Sequence, residues 1–162
     1  MPLVTSQNIK NNSPIENLVN DKLIDIYIDD TEKKYLVPVL GKELYTYLVT
    51  NIDDLDQPHT NLVNRCIRPV SFLLAYEQLP SLHYKITTSG VVTKNSSNSE
   101  PVGTTEIDYI RKDYNTKGRN LLDSLKEYLE DNKNDFPLFK SDNQIVAKKG
   151  SQFGIYLETY KR

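Results

Sequence analysis

Apolar side chains recur along this chain in four stripes with helical spacing. After Asn20, a residue suited to cap a helix N-terminus, Ile24, Tyr27, Ile28, Thr31 and Tyr35 fall at i, i+3, i+4, i+7 and i+11, the spacing of one helix face. Asp25, Asp29 and Glu32 lie at i, i+4 and i+7 and read as a solvated charged face, or alternatively as an intersubunit salt-bridge surface. Pro38 biases Val37 away from helical angles, so this first helix should end near Leu36. Gly41 separates it from a short second helix, from Lys42 to about Thr50, expected to bury Leu44, Tyr47 and Leu48. Residues 51–58 are rich in turn formers and close on Pro58, which suits a first helical turn. Val63, Ile67, Val70 and Leu74 follow at i, i+4, i+7 and i+11, widened by Leu62, Cys66 and Leu73. So wide a stripe predicts a central helix, kinked at Pro69 and ended by Pro80.

The fourth stripe runs through Ile107, Ile110, Tyr114, Gly118, Leu121, Leu125 and Tyr128. It should start at Thr105, with Asp108 as capping-box partner, and stop at Pro137. A glycine inside such a stripe costs about 1 kcal/mol relative to alanine, so Gly118 predicts a close helix crossing. The core should centre on Val63, Ile67, Val70, Leu74, Leu121 and Leu125. Between the last two helices, residues 86–93 are β-branched around Ser89-Gly90 and read as a short hairpin. Residues 95–103 are poor in apolar side chains and read as a mobile loop. Residues 138–162 have no helical period but contain two strand-like runs, 144–147 and 153–157. The expected fold is mainly α: a small bundle of about four helices with a short β-hairpin and an extended C-terminal arm. Residues 1–137 form the helical domain, with 85–103 inserted, and residues 138–162 form the arm.

Composition narrows the classes of function. The chain has 162 residues, 38% hydrophobic and 26% charged, with 20 Lys+Arg against 22 Asp+Glu and a net charge of −2. One domain with one core fits that length, and the missing basic excess argues against a strongly basic nucleic-acid binder. The single Cys excludes an internal disulfide framework and a Cys-based zinc cage. No apolar run reaches the ~20 residues of a membrane span, and the N-terminus lacks a signal-peptide layout. The composition is that of a soluble, intracellular chain.

Candidate chemistry is sparse. Neither common phosphate-binding glycine motif occurs. Asp53, Asp54 and Asp56 suggest a calcium loop, but counting from Asp54 places Arg65 where an EF-hand needs its bidentate glutamate. The three carboxylates therefore read as a solvated loop that caps the next helix. His59 and His83 stand at opposite ends of one predicted helix, about 36 Å apart at the standard rise, so they share neither a metal nor a proton relay. His59 reads as an exposed first-turn residue. Cys66 reads as an inert small hydrophobe, with His59 about two turns away and His83 farther still. Arg65 and Arg68, flanking the core stripe, read as structural pairing groups or partner contacts. No catalytic residue, cofactor or metal ligand is expected, and the chain is not read as an enzyme.

Tyrosine is the unusual count: eleven, with four Phe and no Trp. Such rings suit interfaces where one end is buried and the other meets water or a partner. Tyr27, Tyr35 and Tyr114 are expected to finish the core, whereas Tyr156 and Tyr160 in the arm have no local core to join.

Four segments resemble the head-to-tail connector, or adaptor, proteins of tailed bacteriophages, particularly those of Bacteroides-type phages including the crAss-like group. They are Val4-Thr-Ser-Gln-Asn-Ile-Lys-Asn-Asn12, Tyr35-Leu-Val-Pro-Val-Leu-Gly-Lys-Glu-Leu-Tyr-Thr-Tyr-Leu48, Asn64-Arg-Cys-Ile-Arg-Pro69 and Gly154-Ile-Tyr-Leu157. The resemblance implies a structural virion protein at the head-tail junction, assembled in the host bacterial cytoplasm. Its copies would form a ring, by resemblance dodecameric, between the portal protein and the tail or further ring proteins. DNA would pass through the lumen without sequence-specific binding, and no membrane is involved. Near-neutral charge suits such a wall, since clustered Lys and Arg would hold phosphates. By resemblance the hairpin and arm reach neighbours, which singles out Ile86, Val91, Val92, Ile145, Val146, Phe153, Ile155, Tyr156, Leu157 and Tyr160 as the interface. The alternative is a cytoplasmic helical regulator that binds one partner without catalysis, favoured by a gene neighbourhood lacking portal and capsid genes. An enzyme would need a deep polar pocket that brings His83 to carboxylates.

Overall fold

The computed structural model describes residues 2–15, 19–87, 90–93 and 103–140, with side chains left out of the description for residues 82–93. Helix α1, Ser6–Asn12, is capped by Thr5, whose hydroxyl accepts from Asn8 N while Asn8 returns a bond to Thr5 N. That reciprocal cap lets a short helix start without an apolar stripe, and α1 lies outside the four periodic segments. Helix α2, Asp21–Thr31, begins as expected at Asn20, whose side chain accepts from Lys22 N at 3.0 Å.

Pro38 does not stop the chain at Leu36. Residues Glu32–Leu36 form a π-helical turn that continues directly into α3, Val37–Leu40. Val37 N–H donates to the Glu32 carbonyl, five residues back. In a regular helix the Pro38 ring would press on the Lys34 carbonyl and leave it without a donor. Widening the ladder just before the proline relieves that conflict, so the helix runs on through it. The real stop is Gly41, at φ 79° and ψ 150°, a conformation that residues with a side chain rarely adopt. Helix α4, Lys42–Thr50, follows at once and buries Leu44 and Leu48, while Tyr47 is 36% exposed.

Helix α5, Gln57–His83, is continuous and carries both Pro69 and Pro80 inside it, so Pro80 does not end it. Its first turn is capped by Asp56, whose carboxylate accepts from His59 N at 3.0 Å. Two antiparallel strands follow, β1 Tyr84–Thr87 and β2 Gly90–Thr93, with Thr87 opposite Gly90 and Ile86 opposite Val91. Gly90 is thus a strand residue and not part of the link. Helix α6, Thr104–Asp131, starts from Gly103 with no side-chain cap, one residue before the expected Thr105. It ends at Asn132, well short of Pro137, and a turn then buries Phe136 completely.

Among the described residues the fold is mainly α, and α5 packs along α6 with α1 and α2 against α5. Val70, Leu74 and Leu125 are buried, as are Leu62, Cys66, Leu73, Leu122 and Leu129, whereas Val63, Ile67 and Leu121 are only half buried. On α5 the buried face thus lies to the Leu62, Cys66 and Leu73 side of the expected stripe, and on α6 Leu122 and Leu129 are buried in place of Leu121 and Tyr128. Tyr27, Tyr35 and Tyr114 join the core or its edge. At the crossing, a Cβ on Gly118 would lie 2.5 Å from Leu73 Cγ, so the glycine permits the close approach of the two helices. Leu138 and Phe139 also pack on the core, and Lys140 pairs with Glu43 at 2.5 Å. The first residues assigned to the arm thus lie on the helical body.

Candidate functional site

The most concentrated polar arrangement is built around Glu32. The expected solvated face holds for Asp25 and Asp29, which are exposed, but Glu32 is fully buried. Its Oε2 accepts from Leu3 N at 3.0 Å and from the Tyr45 hydroxyl at 2.7 Å, and its Oε1 accepts from Val4 N at 2.8 Å. Burial raises the Glu32 carboxyl above its ordinary pKa, and these three donors only partly offset that. Burial and the bond to Glu32 likewise push the Tyr45 hydroxyl well up. With both oxygens occupied by the protein's own donors, the group serves as an anchor for the N-terminal segment rather than as an acid or base. The sequence does carry a signal: Glu32 stands four residues after Ile28 and eight after Ile24, on the apolar stripe itself. The π-turn that begins there changes the helical phase, so that Tyr35 and Leu36 are buried together.

His59 is not the exposed residue expected from its position. It is 8% exposed, with its ring 5.0 Å from that of Tyr47 and edge-on to Phe136 at 5.4 Å. Its Nδ1 lies 2.5 Å from Asp56 Oδ1. The backbone and side-chain hydrogen bonds from His59 lower the Asp56 pKa. The histidine thus fastens the start of α5 to α4 and to the turn after α6. Cys66 is fully buried, and burial raises its thiol far above the range of a reactive thiolate.

A second polar cluster joins α2 and the π-turn to α5. Glu77 accepts from Lys34 Nζ at 2.6 Å and from the Tyr35 hydroxyl at 2.5 Å. Burial alone would raise the Glu77 pKa, but these bonds outweigh it and lower it. Tyr27 and Ser81 join hydroxyls beside it.

The third feature is a cleft of about 290 Å³ between α5 and α6, lined by Asn12, Asn64, Arg65, Arg68, Leu121, Ser124 and Leu125. The Arg65 guanidinium stands over the Tyr128 ring, 4.2 Å from its centre. This gives the two arginines a shared site, where their sequence positions suggest pairing groups or partner contacts without a second wall.

Of the residues expected at an interface, Ile86, Val91 and Val92 lie in the paired strands, with Val92 opposite Lys85. Ile145, Val146, Phe153, Ile155, Tyr156, Leu157 and Tyr160 lie outside the described residues, as do residues 95–102, and the His83 side chain is likewise not described. Among the described residues no three His, Cys, Asp or Glu side chains converge as a metal site, and no helix is long and apolar enough to cross a membrane.

A family model for a family of unknown function, DUF6712, matches residues 15–149. The chain belongs to that family. No curated protein and no solved structure matches it. The DUF6712 match takes in Glu32, Tyr45, His59, Arg65 and Arg68, while Leu3, Val4 and Asn12 precede it.

Proposed function

We propose that this chain is a structural subunit of the head-to-tail connector of a tailed bacteriophage, forming a ring between portal and tail that extends the DNA channel. One observation carries the reading. The two longest segments that resemble connector proteins, residues 4–12 and 35–48, meet at a single carboxylate: Val4 N and the Tyr45 hydroxyl both donate to Glu32. Residues far apart in the sequence therefore act as one physical unit, as a subunit that must keep its shape within a ring requires. The same anchoring suits a subunit whose work is to hold shape under load, because its polar groups are used on the protein itself.

In this reading the strands around Ile86, Val91 and Val92 and the arm over residues 141–162 reach neighbouring virion proteins. An extended arm can add a strand to a neighbour, with main-chain hydrogen bonds supplying affinity and alternate side chains supplying specificity. The test is electron microscopy of the full chain co-expressed with the portal protein encoded near it. Rings stacked on the portal are expected, and deletion of residues 141–162 should leave a folded helical body that no longer joins the portal. A chain that stays monomeric beside assembled portals would overturn the proposal and favour a regulator acting through one partner.

A further inference from the structure

We propose that the cleft at Arg65 and Arg68 receives the acidic outer face of α6 from a second copy of this chain, so that successive copies join head to tail. The inference rests on the ring reading above and names the joint that would close it.

The receiving side is prepared. Arg65 is held over Tyr128, which orients its fork of donors, and Arg68 has no ion pair among the described residues. Both are exposed and line the same cleft with Asn64 and Ser124. Paired guanidinium groups with amide and hydroxyl neighbours suit carboxylates, which accept two donors of one guanidinium at once.

The complementary surface is on the same molecule. Asp123, Glu127 and Glu130 follow one another at i, i+4 and i+7 on α6, and all three have side chains at the surface, Glu130 only in part. Leu122, Leu125 and Leu129 face the core, so at about 100° per residue the acidic row points away from it. Lys126 lies within this stretch of α6, which counts three carboxylates to one ammonium and so stays net acidic. The cleft opens on the Leu121 and Ser124 side of the same helix. The two surfaces face different directions, so a single copy cannot join them to each other. A contact between unlike surfaces is the heterologous kind that builds rings. Spacing also matches: Arg65 to Arg68 and Glu127 to Glu130 each advance three residues, about 4.5 Å along a helix. A nucleic acid is the weaker fit, since two arginines in a chain of net charge −2 supply little long-range attraction to phosphates.

The test is mass photometry of the full chain and two charge-reversed variants, Arg65→Glu/Arg68→Glu and Asp123→Lys/Glu127→Lys/Glu130→Lys, each checked for native helix content. Each variant alone should self-associate at least about tenfold more weakly than the native chain. An equimolar mixture should recover assembly, because each cleft then finds a face of opposite charge. Arg68→Glu alone serves if a multiple variant fails to fold, and it should weaken association in the same direction. Native chains that assemble while the variants assemble equally well overturn this joint and leave the ring reading standing. Native chains that stay monomeric overturn both. Loss of duplex DNA binding by the Arg65→Glu/Arg68→Glu variant, with assembly unchanged, would make the cleft a phosphate site and also overturn the inference.

Discussion

Where α5 crosses α6, contact is apolar and close: Gly118 meets Leu73, with Leu74, Leu122 and Leu125 buried around them. Where the N-terminal segment meets the π-turn, one carboxylate gathers two backbone amides and a phenol. The first region is held by area and fit, which many side chains share. The second is held by a few directional bonds in a dry setting, where losing one partner leaves the others unsatisfied. The seam should therefore govern global stability, and the Glu32 node should govern whether the first residues stay docked.

The largest expected effect is on the seam. Leu74→Ala should cost about 2–5 kcal/mol, as buried leucine truncations do, measured by urea unfolding. A loss below about 1 kcal/mol would show that this stripe is not the centre of the core. Glu32→Ala should cost about 2–3 kcal/mol, because three donors lose their acceptor but the N-terminal segment can recover water by undocking. The two variants differ in kind: the first should lower stability throughout, the second should release residues 2–5 while the helices persist. Gly118→Ala gains about 1 kcal/mol of helix propensity yet must displace Leu73, and overpacking of that sort costs about 1–3 kcal/mol. A net loss of roughly 1 kcal/mol is expected, and a net gain would show that the crossing can relax. Tyr45→Phe, which removes a single donor from Glu32, should cost about 1 kcal/mol.

Titration sharpens the contrast. Burial raises the Glu32 pKa, so the folded chain holds that proton more tightly than the unfolded chain does. Its contribution to stability is present in full below the ordinary glutamate value and is lost as pH rises through the folded value. Glu77 runs the other way: its lowered pKa contributes stability that is lost as pH falls through the folded value. Unfolding curves on the alkaline side of the ordinary carboxylate range should thus decline with pH in the native chain and flatten in Glu32→Gln. An unchanged slope in that variant would assign the titration to another group.

The same contrast explains what the sequence made legible. Periodic apolar positions placed α2, α4, α5 and α6, the Asn20 cap and the crossing at Gly118, because burial of area follows helical spacing. Spacing alone does not rank Val63, Ile67 and Leu121 against Leu62, Cys66 and Leu122, and only packing against other helices buries the second set more deeply. Pro38 was misleading because a π-turn absorbed it, and Pro80 because a proline near a helix end can be carried inside the last turns. For Glu32 and His59, charge and position in a turn predict exposure, whereas their burial depends on partners brought in from Leu3, Tyr45 and Phe136. The Arg65–Arg68 cleft needed the second wall, α6, before it existed at all.

Amide hydrogen exchange at Leu3 and Val4 is the most direct test of the Glu32 anchor. Both amides donate to that carboxylate in the native chain and should be protected. In Glu32→Ala they should exchange at least about tenfold faster, while the amides of Leu73 and Leu125 change only by the global loss of stability. Equal protection of Leu3 and Val4 in the two proteins would contradict the anchor, and with it the physical unit on which the connector reading rests.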